Sequence, residues 1–254
     1  MNNYLPPKLL EEIIKWERDF SGEVEYLDNP IGLGLSMDFE DTEGYFCTPV
    51  DSLPFAWTGG DGIHYALLTD FGLIKDLNEA PVICISPMDS ERTRLVARNL
   101  YDFFSLHFFD ELILLSEFPS EEVYLECVRI EETKNLNSEY FDHDRFKREK
   151  MKVINEVQEQ FNFAPIQNPI KYIQDIRLER SLRITTLTDD SLGVMPFPSS
   201  DSHQKEAFLA SIRNLQHSAC VDQVVVERHA KELLQRGMTH EAESFLARML
   251  LVAQ

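Results

Sequence analysis

Helical spacing of hydrophobic residues marks the beginning of the chain. Over residues 6–20, large apolar side chains recur every three or four positions: Leu9, Ile13, Trp16 and Phe20. This spacing places them on one face of an amphipathic helix, so a helix is predicted there. The same spacing returns over residues 91–109, where it includes Leu95, Val96 and Leu100. A second helix is therefore predicted over 91–109.

Between these two helices the hydrophobic spacing changes to every second residue. Leu33, Leu35, Met37 and Phe39 alternate with small or polar residues, a pattern typical of a half-buried strand whose other face meets solvent. The strands predicted in this region are 33–39, 45–48, 63–68 and 82–86. Turns rich in Gly, Asp and Glu separate them at 40–44 and 57–62. Helix, antiparallel strands and helix together predict an α+β unit.

The rest of the chain is predicted to be mostly helical. Residues 142–161 carry a helical stripe that ends before Pro165, and residues 180–187 are rich in Ile and Thr, which favours a strand. A stretch with two prolines and four serines, 191–202, is the best candidate for a linker. Helical spacing beyond it predicts three helices over 203–254.

These patterns predict an α+β fold in which an antiparallel sheet packs against helices, with a C-terminal all-helical extension. The domain organisation that they indicate has an acidic α+β domain at 1–117 and a mixed α/β segment at 118–190. A linker at 191–202 then leads to a helical C-terminal region at 203–254.

Acidic residues are concentrated in the first half of the sequence. The chain has 254 residues and a formal net charge of −20, of which residues 1–117 contribute −15. No lysine or arginine occurs between Arg18 and Lys75, whereas eleven acidic residues do. Such a field repels nucleic acids and anionic membranes and attracts a cationic protein. The alternative interpretation is a solvated surface that only keeps the protein soluble.

A soluble cytoplasmic protein is expected from two further features. No uncharged run reaches the roughly 18 residues of a membrane span, and the first residues lack a basic and apolar leader pattern. The four cysteines lie far apart in the sequence, which predicts reduced thiols rather than a disulfide framework.

Two short motifs could carry chemistry. His64 follows Asp61 and Gly62 and could act as a general base oriented by a carboxylate, although a structural strand histidine is the favoured interpretation. Asp142-His143-Asp144 contains metal-binding residue types, yet a helix cap is favoured because no further His or Cys lies nearby. Glycine-rich nucleotide-binding loops and nucleophile motifs are absent from the sequence. No cofactor, metal or catalytic residue is therefore predicted.

One stretch of the sequence resembles a known family. The segment Leu-Pro-Phe-Ala-Trp-Thr-Gly-Gly-Asp-Gly-Ile-His-Tyr-Ala-Leu-Leu at 53–68 resembles the central hairpin of the SUKH superfamily, the Smi/Knr group of cell-wall assembly regulators and bacterial toxin-immunity proteins. Leu5-Pro6 at the first helix, Pro81-Val82 on the next strand and a closing aromatic helix at 100–109 extend the resemblance over residues 4–115.

The resemblance implies an α+β domain without catalytic activity that binds and neutralises a toxin, or regulates another protein partner. Together with the charge, it predicts a basic protein partner that meets acidic residues in two hairpin turns. These residues are Asp38, Glu40, Asp41, Glu43 and Asp61. Two alternatives stay open: a hydrolase that uses Asp61 and His64, and an adaptor that docks through the C-terminal helices. The aromatic residues near these acids, such as Tyr45 and Trp57, are expected in the core.

Overall fold

The fold combines a five-stranded antiparallel sheet with helices that precede and follow it. The computed structural model describes residues 4–27, 29–39, 44–136, 142–198, 202–218 and 221–250. The strands are β1 Gly34–Leu35, β2 Ser52–Trp57, β3 His64–Leu68, β4 Val82–Ile85 and β5 Thr93–Ala97. The helices are α1 Lys8–Phe20, α2 Leu100–Asp110, α3 Leu112–Leu115, α4 Glu121–Leu136, α5 His143–Phe161, α6 Pro169–Ser181, α7 Ser202–Gln216, α8 Gln223–Gln235 and α9 Thr239–Leu250. The predicted α+β fold is confirmed.

The strands follow one another across the sheet in chain order, from β1 to β5. All four pairings are antiparallel, and Trp57 at the end of β2 lies opposite His64 at the start of β3. Short hydrogen-bonded turns therefore suffice to connect β2 with β3, and the β2–β3 turn lies at one end of the sheet.

Different parts of the chain cover the two faces of the sheet. Phe103 and Phe104 of α2 pack against Phe55, and Phe103 also packs against Tyr65, so the first helices cover one face. On the opposite face, the Thr93 hydroxyl donates to the Cys47 carbonyl at 3.4 Å. The loop that precedes β2 therefore lies across this second face.

The strands predicted over 63–68 and 82–86 are confirmed as β3 and β4, whereas β5 was predicted as part of a helix. Every residue of β3, β4 and β5 is buried, and strands covered on both sides lose the polar alternation that marks a half-buried strand. The helix predicted over 91–109 is wrong in its first half, because Leu95 and Val96 belong to β5. Asn99 then caps α2 by accepting from the Asp102 amide at 2.8 Å.

Three other strand predictions are also wrong. Residues 33–39 contribute only the two residues of β1, and residues 45–48 form a turn rather than a strand. Met37 is 37% exposed instead of facing the core. The segment 180–187 begins with the end of α6, and beyond it only Thr186 makes an isolated bridge, to Val194.

The predicted helices at both ends of the chain are confirmed. Leu10, Ile13 and Trp16 form the buried stripe of α1, and α5 begins at His143, as the helical spacing predicts. In the C-terminal region α7, α8 and α9 surround a second hydrophobic core, which also takes in Val50 and Phe71 from the first half of the chain. Within the segment predicted as a linker, Leu192 and Val194 are buried.

Buried ion pairs join the C-terminal region to the loops of the sheet. Arg213 of α7 is fully buried and donates through Nη2 to Asp51 Oδ2 at 2.6 Å and through Nε to Asp51 Oδ1 at 3.1 Å. Arg180 of α6 makes a similar pair with Asp70, at 2.6 and 3.2 Å. Bidentate geometry of this kind is what makes a buried pair favourable despite the loss of hydration.

Glu241 of α9 is a buried carboxyl group close to these pairs. It is fully buried, and neither of its oxygens accepts a hydrogen bond from another residue that the structure describes. Burial, with a smaller contribution from the negative charge of Asp51, raises the pKa of Glu241 to about 7, against the lowering effects of its own backbone amide, Lys75 and Lys205. The folded protein therefore holds a proton on Glu241 over a pH range in which the unfolded chain releases it.

We expect Glu241→Gln to change stability in a pH-dependent way. Because the folded pKa is raised from 4.5 to about 7, the stability that protonation provides falls as the pH rises from about 4.5 to 7 and is lost above 7. The glutamine variant should match the wild type near pH 4.5 and exceed it by about 3 kcal/mol at pH 8. Urea unfolding at both pH values measures this, and an equal difference at both would contradict it.

Candidate protein-binding surface

The two predicted partner-binding acids that the structure describes are both exposed. Asp38 lies just after β1, and Asp61 lies in the turn between β2 and β3. The other three, Glu40, Asp41 and Glu43, lie outside the described residues. Asp38 and Asp61 therefore meet the first requirement for a binding surface, which is accessibility.

Strand register separates Asp38 from Asp61. Gly34 pairs with Trp57 at the turn end of β2, and the Ser36 amide then donates to the Phe55 carbonyl at 2.9 Å. The chain thus runs away from the turn towards Asp38, whereas Asp61 belongs to the turn itself. Asp38 and Asp61, which were predicted as parts of one cluster, are therefore directed towards opposite ends of β2.

The β2–β3 turn, residues 58–63, has an ordered hydrogen-bond network. The Thr58 amide and hydroxyl both donate to the Ile63 carbonyl at 3.1 Å, and the Ile63 amide donates to the Gly60 carbonyl at 3.0 Å. Asp61 adopts a left-handed conformation with φ of 52°, which Asp tolerates better than most residues. The turn therefore holds the Asp61 carboxylate on a fixed backbone.

Tyr45 lies over this turn. Its ring is 43% exposed and stacks on His64, with centroids 5.8 Å apart and planes at 28°. A Cβ atom at Gly62 would lie 2.6 Å from the Tyr45 ring, and Gly62 has φ of +70°. Only glycine fits there without displacing the ring, so the sequence at the turn fixes the position of an exposed aromatic side chain.

Trp57 adds a second aromatic side chain at the same end of the sheet. It is partly exposed, and its ring lies 6.5 Å from His64 with planes at 19°. We call Tyr45, Trp57 and the turn 58–63 the turn surface. Both aromatic residues were expected in the core. This expectation is wrong, because His64, on which both rings stack, is the buried residue, while Tyr45 is exposed and Trp57 is partly exposed.

His64 is a structural residue of this surface. Its Nδ1 donates to the Gly62 carbonyl at 2.8 Å, so its Nε2 carries the lone pair that accepts from the Thr48 hydroxyl at 3.0 Å. Burial lowers the pKa of His64 to about 4. Both ring nitrogens are therefore engaged by groups other than Asp61, and the Asp61–His64 pair that the hydrolase alternative requires is not formed.

Asp142 acts as a helix cap, as favoured above. Its carboxylate accepts from the Arg145 amide at 2.9 Å at the start of α5. Across the described ranges, no group of three or more His, Cys, Asp and Glu side chains is arranged to hold a metal ion.

Sequence reasoning missed Tyr45 and Trp57 as surface residues, although a signal for them was present. Both are aromatic residues that flank Gly- and Asp-rich turns, where the chain reverses at the protein surface. A glycine in a turn leaves room for a nearby aromatic ring to lie on the backbone. The turn glycines near Tyr45 and Trp57 were therefore the available indication that these rings lie on a turn and not in the core.

No protein-family model matches the sequence, and no curated protein matches it. The SUKH resemblance thus stays a prediction. Each helix within the described part of the chain is too short or too polar to cross a lipid bilayer.

We expect Gly62→Ala to move the Tyr45 ring, whereas Gly59→Ala should not. Both glycines have positive φ, +70° and +79°, but a Cβ at Gly59 meets open space. Both variants should lose about 1 kcal/mol from backbone strain, and Gly62→Ala should lose at least about 1 kcal/mol more. Urea unfolding measures the stability, and the NMR shifts of the His64 ring protons report the stacking. Equal losses with unchanged His64 shifts would show that the Tyr45 ring does not depend on Gly62.

Proposed function

We propose that this protein is a non-enzymatic binding protein that neutralises or regulates a basic protein partner. Its binding site would combine the turn surface with Glu40, Asp41 and Glu43, which precede Tyr45 in the sequence. The observation that carries the proposal is the exposed Tyr45 ring, held against His64 and against Gly62, the residue that follows Asp61 in the turn. This surface is ordered before any partner arrives, which limits the entropy lost on binding.

The distribution of charge supports a cationic partner. Arg213 and Arg180 neutralise the buried Asp51 and Asp70, so these two acids contribute little to the external field. Asp61 faces solvent in a stretch of 56 residues without a lysine or arginine. Glu43 stands two residues before Tyr45 in the sequence. A partner surface rich in lysine or arginine would meet these carboxylates here. No lysine or arginine nearby in the sequence would compete with the partner for them.

The aromatic residues support the same class of partner. Lysine and arginine side chains bind the faces of Tyr and Trp rings through cation–π contacts, and these two residue types often dominate the energy of protein interfaces. Tyr45 and Trp57 lie at the end of the sheet that carries the Asp61 turn, and Tyr45 is exposed there. The acids would accelerate the encounter, and the aromatic rings would slow dissociation.

Neither alternative function has comparable support. The hydrolase alternative requires Asp61 to orient His64, and the His64 ring nitrogens bind Gly62 and Thr48 instead. The adaptor alternative requires a contiguous apolar patch on the C-terminal helices. Among their described residues, the large exposed apolar side chains are Val224 and Leu234, which lie roughly 15 Å apart along α8 and do not form one patch.

The SUKH resemblance suggests the identity of the partner class. Bacterial members of that superfamily bind toxins, so a basic toxin domain in the cytoplasm is the partner that we propose. The cell-wall regulator branch of the same superfamily makes a regulatory partner the second possibility within the same binding mode.

Neutralising the proposed site should slow binding of a cationic probe. The site variant carries E40Q, D41N, E43Q and D61N. A matched control with the same change in net charge carries E11Q, E23Q, E79Q and E132Q, all at exposed acids outside the turns at the Asp61 end of the sheet. Stopped-flow association with a labelled oligo-arginine peptide should slow by an order of magnitude or more in the site variant and far less in the control.

The salt dependence provides a second comparison. The association rate of the wild type and the control should fall steeply as salt is added, whereas the rate of the site variant should be nearly flat. If both variants slow to the same extent, the probe responds to net charge alone. The acidic surface would then be only a means of keeping the protein soluble.

A further inference from the structure

The loop that carries Tyr45, residues 44–51, belongs to no strand, and at its end the Asp51 carbonyl accepts from the Thr69 amide at 2.9 Å. Backbone amides and carbonyls that are buried without hydrogen bonds are strongly destabilising, so a buried loop needs other groups to pair with them. Residues 47–51 of this loop are buried. The partners of its backbone therefore decide where the loop, and Tyr45 with it, is held.

Gln216 at the end of α7 supplies three of these partners. It is 2% exposed, and its Oε1 accepts from the Val50 amide at 3.1 Å. Its Nε2 donates to the Thr48 carbonyl at 2.7 Å and to the Phe46 carbonyl at 3.1 Å. The Gln216 side chain thus pairs with a backbone amide and with two backbone carbonyls of the loop. These bonds fix the path of the backbone over the five residues 46–50.

Arg248 of α9 binds the next part of the loop. It is fully buried, and its Nη1 donates to the Pro49 carbonyl at 2.6 Å and to the Thr48 carbonyl at 3.3 Å. A Cβ at Gly44, where φ is +153°, would lie 3.0 Å from Arg248 Nε. The chain therefore passes Arg248 directly before it reaches Tyr45.

Thr48 links this bound backbone to the turn surface. Its hydroxyl accepts from the Tyr45 amide at 2.9 Å and donates to His64 Nε2 at 3.0 Å. The Thr48 carbonyl accepts hydrogen bonds from Gln216 Nε2 and Arg248 Nη1. A displacement of the C-terminal side chains is therefore passed through Thr48 to the Tyr45 backbone and to the ring on which Tyr45 stacks.

We propose that Gln216 and Arg248 are positioning residues of the turn surface, and that this is what the C-terminal helices contribute to binding. Side chains of α7 and α9 bind the loop 44–51 on one side, and Thr93 and His64 of the sheet bind it on the other. The effect on partner binding rests on the proposed function, whereas the effect on the loop does not.

Gln216→Met tests the positioning, with Gln223→Met as the matched control. Both replace a helical glutamine of the C-terminal region, but Gln223 is exposed and bonds only to Glu227 among the contacts described. Amide hydrogen exchange in the free, full-length protein should accelerate at least tenfold at Tyr45, Thr48 and Val50 in Gln216→Met. The His64 ring shifts should change as well, and neither change should occur in Gln223→Met.

Exchange in β4 provides the internal reference for this experiment. If the amides of Val82–Ile85 accelerate as much as those of the loop, the loss is global rather than local, and the proposal is wrong. Unchanged exchange over 45–50 in Gln216→Met would also overturn it.

Thr48→Val and Thr48→Ser provide an independent pair of variants on the same path. Valine removes the hydroxyl that connects Tyr45 and His64, and serine retains it, so only Thr48→Val should release the Tyr45 amide and shift the His64 ring. Equal behaviour of the two variants would contradict the role assigned to Thr48 and, with it, the proposed path from Gln216 to Tyr45.

Binding measurements distinguish this inference from the proposed function. If Gln216→Met loosens the loop and also speeds dissociation of the oligo-arginine peptide, both proposals are supported. If the loop loosens while dissociation keeps the wild-type rate, the positioning stands and the turn surface is not the binding site.

Discussion

The pair between Arg213 and Asp51 is the interaction on which the arrangement of the two halves of the chain depends. Both side chains are fully buried, and two hydrogen bonds of 2.6 and 3.1 Å join them. Burial alone would lower the pKa of Arg213, but the carboxylates of Asp51 and Asp190 raise it above its ordinary value. A charge kept in the interior tolerates little displacement, because leaving either partner unpaired is strongly destabilising.

This requirement explains where the rest of the C-terminal region lies. With Arg213 fixed on Asp51, Gln216 at the end of the same helix reaches the loop 44–51, and α9 packs so that Arg248 binds the adjacent carbonyls. The Arg213 guanidinium also lies over the Phe71 ring, 5.1 Å from its centroid, in the second hydrophobic core. The ion pair thus connects a packed core to the loop that carries Tyr45.

The buried pairs also affect how many of the acidic residues in the first half of the chain are available to a partner. Residues 1–117 carry a net charge of −15, yet bases from later in the chain neutralise part of it inside the protein. Arg180 and Arg213 pair with Asp70 and Asp51. Part of the acidity is therefore a structural requirement, and the exposed acids, Asp61 among them, are the ones left to act on a partner.

How much the sequence predicts depends on the range of the interactions involved. Amphipathic spacing identified α1 and α5 because each has one exposed face, and the fold class followed from the same local patterns. It failed at β5, where Leu95 and Val96 are covered on both sides, so a helical stripe continued across the Asn99 cap. The Asp61 turn was found because glycines mark turns locally.

The contacts that position Tyr45 could not be predicted in the same way. Arg213 and Asp51 are 162 positions apart, and Gln216 and Thr48 are 168 apart. Nothing in the local pattern of either segment indicates the partner, since buried arginines and exposed ones have the same sequence signature. Pairs of this kind are determined by the packing of whole elements, which a single sequence does not reveal.

A double-mutant cycle on Asp51→Asn and Arg213→Met tests the central claim most directly. Asp51→Asn leaves the buried Arg213 with Asp190 alone, 3.6 Å away, and Arg213→Met leaves both Asp51 and Asp190 without it. Each single variant should lower the free energy of urea unfolding by about 3–5 kcal/mol. The double variant should lose less than the sum of the two, because the Asp51–Arg213 pair is already broken in each single variant. Losses that simply add would show that the two side chains act independently, and that the pair does not hold the two halves of the chain together.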